Sequence, residues 1–352
     1  MTKKRVSRRE FVQDGAAAAA GAAFAAGAIG NVSGAAADSP DATKTRSYNE
    51  NMEYRRLGRT GLMLSAVSMG GHWKKIPFKR GSDDFKKNRR EVIHAALDHG
   101  VNYIDACWSG EVATYAEALG NRREEIYFGF DWTLGRDPKI VDSVEPLKKG
   151  LDDGLRESGL EYVDVWRITL REQTTLNTRQ QIENVMAALE WGKKAGKARF
   201  TGVSTHHRPW IAEAVAMYPQ LEVVVTPYSA GSKEKPVGSM FGALRKHDVG
   251  MIGIKPFASG NIFQSRGQPD SATKEEDDER ARMALRYVLS CDVMAAAIPG
   301  LITVDQVQNA ARAVKERREF DLAEAQRFRE MTDQMWTQLP RNYEWLKDWE
   351  WV

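Results

Sequence analysis

The residues that could do chemistry in this chain of 352 stand at or just after the ends of short apolar runs. His72 follows the run 66–70, Asp105 closes 101–105, and Asp131 closes 126–131. Thr169 closes 163–169, His206 and His207 follow 199–204, and Lys255 closes 251–255. Imidazole, carboxylate and ammonium groups gathered in one place can relay protons. The same His and carboxylate groups could hold a metal with a mixed ligand set. Asp105, His206 and Lys255 are read as the catalytic set. Two neighbouring carboxylates repel unless a cation separates them. Arg167 lies two residues before Thr169 in the same run, so both side chains share one face of a strand. An Arg167 buried between Asp105 and Asp131 is the structural expectation, because buried charges are paired. Cys107 and Cys291 make neither a disulfide framework nor a metal-ligand cluster, and both read as free, buried thiols. No metal is expected.

For these groups to meet, the runs that carry them must lie side by side. Eight strand candidates, at 66–70, 101–105, 126–131, 163–169, 199–204, 221–226, 251–255 and 294–298, alternate with helical patterns such as 89–99, 144–158, 178–194, 208–218 and 274–289. That alternation predicts parallel crossovers, and eight of them predict an α/β fold of the closed (β/α)8 TIM-barrel type. An open doubly wound sheet would show a GxGxxG turn after an early strand, and none is present. In a barrel the C-terminal strand ends form the active-site mouth, where these residues would gather.

The remainder of the chain is organised around this barrel, expected over residues 52–320. "SRREFV" at 7–12 resembles the twin-arginine export signal; an Ala/Gly-rich run follows, and "AAA" at 35–37 offers a peptidase site. Residues 1–37 are therefore expected to be a signal peptide, read by the twin-arginine export machinery and removed, giving an exported, periplasmic protein. A spanning helix needs about 20 strongly apolar residues, so no stable membrane insertion is expected after removal. Polar residues 38–51 read as a linker, and 321–352 as a helical tail whose Trp345, Trp349 and Trp351 pack over the barrel. The net charge of +3 is concentrated in the first 14 residues. The barrel is close to neutral, which argues against a nucleic-acid partner and for a small-molecule substrate.

"EYRRLGRTGLMLSAVSMGG", "GVNYIDA", "EYVDVWRI", "ARFTGVST" and "AAIPGLITVDQV", in this order over residues 52–312, together resemble the aldo-keto reductase family. The resemblance implies an NADP(H)-dependent carbonyl reductase or alcohol oxidase. It places Asp105 at the family's catalytic Asp. The catalytic Tyr falls on Gly110, the Lys on Asp131 and the His on Thr169. Ser204 stands at the family's nicotinamide-amide serine and Thr205 at the neighbouring Asn. Gly300 lies in the retained Ile-Pro-Gly turn. Lys255 takes a normally small position from which it could meet a pyrophosphate. Ile254 replaces the stacking aromatic, Gln306 a common cation and Ala310 the usual Asn.

The family's iron–sulfur relatives need more cysteines than this chain has. With Gly unable to donate a proton, the resemblance implies an altered donor, His206 or Lys255. The alternatives are a non-redox lyase or epimerase acting on sugar-like substrates through Asp131, His206 and Lys255, or a binding protein that has kept the fold.

Overall fold

The computed structural model describes residues 40–348 apart from 74, 132–137, 171–176 and 233–238. Residues 1–37, read as the export signal, and Trp349 and Trp351 of the tail lie outside the described residues.

The chain enters through an antiparallel hairpin, β1 (Tyr54–Arg56) and β2 (Met63–Ser65). Its turn closes at Gly58 and Gly61, both at positive φ, where a side chain would strain the backbone. Eight strands follow: β3 (Met69–Gly70), β4 (Tyr103–Ala106), β5 (Tyr127–Phe130), β6 (Val163–Thr169), β7 (Ala198–Ser204), β8 (Val223–Pro227), β9 (Gly250–Ile254) and β10 (Met294–Ile298). They pair in sequence order and in parallel. Ser68 N donates to Ala297 O at 3.0 Å, Ala297 N to Ala66 O at 2.8 Å and Gly70 N to Pro299 O at 3.1 Å, so the last strand meets the first. The fold is a (β/α)8 barrel.

The helices on its outside are α1 (Asp83–Asp98), α2 (Ser109–Leu119), α3 (Val144–Ser158), α4 (Arg179–Lys194), α5 (Arg208–Met217), α6 (Met240–His247), α7 (Lys274–Leu289) and α8 (Val304–Lys315). α1 begins six residues before the periodic apolar pattern does. Ser82 accepts from Phe85 N as its N-cap, and Asp83 and Asp84 favour the positive end of the helix dipole.

Strand parity divides the side chains. Ile104, Phe128, Phe130, Trp166, Ile168, Val203 and Val224 belong to the core shared with the helices. The opposite parity fills the barrel. Its lower part is apolar: Leu57, Leu62 and Leu64 of the hairpin region cluster with Tyr103, Val165, Phe200, Val223, Val225 and Ile252. Above this plug, the same faces of β4 and β6 carry Asp105, Arg167 and Thr169. Gly129 makes room here. A Cβ on it would overlap the Tyr103 hydroxyl, which lies 3.3 Å from Asp105 Oδ1. Gly129→Ala is expected to cost about 1–3 kcal/mol as an overpacked interior site, measured by urea unfolding. A neutral result would mean that Tyr103 can move aside freely.

Residues 41–51, which composition reads as linker, are stitched across the barrel floor. Thr45 Oγ1 donates to Met63 O at 2.7 Å, Ser47 Oγ to Glu125 O at 2.9 Å, and Asn102 Nδ2 to Arg46 O at 3.1 Å. Arg46 also joins Arg123 and Arg199 around buried Asp164. At the other end α9 (Leu322–Thr337) packs Phe328 on Tyr287, with ring centroids 4.8 Å apart, and pairs Glu324 with Arg286 at 2.8 Å. The short α10 (Trp345–Asp348) follows.

Candidate active site at the barrel mouth

Arg167, projecting inward from β6, organises the floor of the mouth. Its Nε donates to Asp105 Oδ1 at 3.0 Å and its Nη2 to Asp105 Oδ2 at 2.7 Å, a bidentate pair. Its Nη1 reaches Asp131 Oδ2 at 2.8 Å. Thr169 Oγ1 also bonds Asp131, and Arg167 Nη2 lies 3.2 Å from Cys107 Sγ. All three charged groups are buried, none more than 2% exposed. Burial pulls the guanidinium pKa down, but the Asp105 and Asp131 charges outweigh it and hold Arg167 well above its ordinary value. Arg167 therefore stays charged, and the expected network is present. Asp105 lies beneath the surface with both oxygens on Arg167.

His206 and Lys255 meet above this layer. Both follow strand ends, on β7 and β9, which β8 separates, so sheet order brings residues 49 apart into contact. Lys255 Nζ lies 3.2 Å from His206 Nε2. Burial and then the Lys255 charge hold the His206 imidazole well below its ordinary pKa. A neutral His206 accepts at Nε2 while the ammonium donates. Lys255 has φ 59°, and His72, Ala258 and Ser259, also in loops of this rim, share the left-handed region. Such non-glycine residues cost on the order of 1–3 kcal/mol each and gather at functional sites. His207 stands at the N-cap of α5, where its N–H donates to Thr205 Oγ1 at 3.2 Å.

A third group joins β3 to the start of α2. Glu111 is fully buried, and Gly71 leaves the space that its carboxylate fills. Its Oε1 accepts from His72 N at 2.5 Å and lies 3.0 Å from His72 Nδ1, and its Oε2 accepts from Cys107 N at 2.9 Å. Burial would raise the Glu111 pKa, but the His72 ring and the two amides win and hold it below the usual carboxylate range. Cys107 is pushed up, first by burial and then by the neighbouring Asp105, Glu111 and Asp131 charges, against the opposing pull of Arg167.

Sequence reasoning missed Glu111, because an acid in the first turn of a helix reads as a dipole complement. Its position one residue beyond Gly110 was the available signal. Trp108 covers Gly110, whose added Cβ would meet the indole at 3.1 Å. Tyr115 is turned inward from α2, fully buried, and donates its hydroxyl to Gly70 O at 2.7 Å. A cavity of about 280 Å³ opens between α1 and α2 beside Trp108 and Gly110, with Arg80, Lys86 and Arg90 on its walls.

Residues 68–333 match the model of the Aldo/keto reductase family. The chain belongs to the aldo/keto reductase family. It is 24% identical to the L-galactose dehydrogenase of Arabidopsis thaliana over 290 residues, which cover 75% of this chain and 89% of that protein. It is 23% identical to the L-glyceraldehyde 3-phosphate reductase of Escherichia coli K12 over 255 residues, 66% of this chain and 69% of that one. Among solved structures, the holo form of an aldo-keto reductase from Bacillus halodurans superposes with a TM-score of 0.59 at 22% identity, covering 80% of this chain and 96% of that chain. That likeness concerns the fold.

Aldo/keto reductases generally use NADP(H), and the residues here can be compared with what such a group needs. Ser204 ends β7 at the rim, with buried Thr205 beside it. A Cβ on exposed Gly300 would meet only Gly71 O, at an ordinary 3.6 Å, so the chain itself does not require a glycine there. Close approach of a bound group would require one. Lys255 adds a cation. The dinucleotide core fits these groups. At the two positions where the resemblance leads one to expect a cation and an Asn, Gln306 Oε1 accepts from Ile302 N at 2.8 Å and Ala310 is buried, so neither side chain carries a positive charge.

Proposed function

We propose that this chain is an exported aldo/keto reductase that interconverts a carbonyl and an alcohol with NADP(H), using Lys255 and His206 to handle the proton. The observation that carries this reading is the 3.2 Å contact between Lys255 Nζ and His206 Nε2 at the mouth. The dinucleotide, when bound, supplies or takes the hydride. Ser204 and Thr205 would hold its carboxamide and Gly300 would allow its close approach. The Lys255 ammonium, oriented by neutral His206, would polarise the substrate oxygen and give it a proton. Gly110, covered by Trp108, has no group to offer in that role. Asp105 acts as a positioning residue through Arg167. The names of the relatives, an L-galactose dehydrogenase and an L-glyceraldehyde 3-phosphate reductase, favour small polyhydroxylated carbonyl substrates.

Titrating the mature chain with NADPH is expected to quench and shift cofactor fluorescence. NADH should bind within about tenfold of NADPH, a difference of at most roughly 1.4 kcal/mol, since positions 306 and 310 lack cations. Absence of binding at millimolar cofactor would remove this function and leave the non-redox barrel chemistries. A strong preference for NADPH would show that another cation meets the 2′-phosphate.

Export is supported by "SRREFV", the Ala-rich run and "AAA". Among the described residues no helix is long and apolar enough to cross a membrane. In a bacterial host the native chain is expected to reach the periplasm, and Arg8→Lys/Arg9→Lys to hold it in the cytoplasm. Unchanged secretion of the double variant would refute the twin-arginine route.

A further inference from the structure

We propose that His72, Cys107 and Glu111 form a binding site for one divalent transition-metal ion of the zinc class at the rim of the barrel. The ligand atoms of these three residues all lie within 4.8 Å of one another. They come from two adjacent strand ends, β3 and β4, and from the first turn of α2. Three features separate this cluster from an ordinary buried carboxylate clamped by backbone.

The first is the donor set. One imidazole nitrogen, one sulfur and one carboxylate oxygen make a borderline-soft combination that suits Zn(II) or Co(II), whereas Mg(II) and Ca(II) prefer oxygen alone. The second is charge. Glu111 has no exposed surface, and among the described residues its ion-pair partner is the His72 ring, with no Lys or Arg bonded to it. A dication would neutralise this buried anion. The third is access. The His72 side chain is 47% exposed and Cys107 is partly exposed while Glu111 is sealed, so solvent reaches the cluster from the His72 side. Three protein ligands with one open position is the arrangement of catalytic zinc sites.

Arg167 Nη2, 3.2 Å from Cys107 Sγ, is compatible with this assignment. Its charge is already met by Asp105 and Asp131, and its N–H can donate to a metal-bound thiolate. On binding, the Cys107 thiol releases its proton to solvent as the sulfur–metal bond forms. An ion held here could polarise a substrate oxygen. That role rests on the oxidoreductase reading, but the binding itself does not.

The test is made on the mature chain without dinucleotide or substrate. After exposure to Co(II) and gel filtration, about one equivalent of metal is expected per chain, with visible d–d bands and a near-ultraviolet sulfur-to-cobalt charge-transfer band. Cys107→Ser should abolish the charge-transfer band, and His72→Ala should weaken binding by at least about 100-fold. Glu111→Gln should do the same. If it unfolds, the exposed His72 variant carries the test, with far-ultraviolet dichroism confirming its fold. Less than about 0.1 equivalent bound at ~50 μM Co(II) would overturn the proposal, and so would stoichiometric binding unchanged in both His72→Ala and Cys107→Ser. NADPH titration is read separately, so failure of either assay leaves the other proposal standing.

Discussion

Arg167→Met is expected to destabilise the barrel by about 3–5 kcal/mol, the usual cost of removing one partner from a buried ion pair. The guanidinium is 2% exposed and makes contacts of 2.7 and 2.8 Å with two carboxylates on neighbouring strands. Deleting it removes the cation that Asp105 and Asp131 share and leaves two buried carboxylates on neighbouring strands without the guanidinium between them. Methionine fills much of the arginine volume, so the loss reports charge more than cavity. Arg167→Lys should fall in between, because an ammonium cannot reproduce the bidentate pair with Asp105. Adding Asp105→Asn and Asp131→Asn to Arg167→Met should recover a large part of the loss, since neutral amides do not repel. Urea unfolding of the four proteins measures this. A loss below about 1 kcal/mol for Arg167→Met would mean that water or another cation reaches the carboxylates.

That network was legible in the sequence because it depends on period-2 alternation. Once 163–169 is a barrel strand, Val165, Arg167 and Thr169 must share the interior, and an arginine there must find anions. The strands themselves were legible for the same reason: 163–169 and 294–298 are apolar runs bounded by turn residues. Two kinds of feature were not legible. Residues 41–51 are polar, and nothing in their composition says that Thr45, Arg46 and Ser47 will bond carbonyls or carboxylates far along the chain. The contact between Glu111 and His72 joins residues 39 apart and depends on Gly71 leaving room for a carboxylate. No periodicity encodes a coincidence of two loop ends. Lys255 and His206 are intermediate: barrel order places β7 and β9 on either side of β8, but only side-chain rotamers decide that the two groups meet.

Lys255→Met is expected to lower kcat by about 10²–10⁴, the usual contribution of a positioned general acid, with a smaller change in KM, across a panel of small carbonyl substrates. Methionine keeps the length and removes the proton. The variant has a second signature. His206 is held neutral by burial and, next, by the Lys255 charge. Removing that charge lets the imidazole pKa rise toward its ordinary value, so the acid limb of the residual pH–rate profile should move up. Lys255→Gly separates chemistry from folding. Lys255 sits at φ 59°, a conformation that glycine adopts without strain. This variant should therefore lose activity to the same extent while its Tm stays level or rises. Equal losses of activity and stability would make Lys255 a structural residue of the rim. Full activity in either variant would take the proton away from the Lys255–His206 pair.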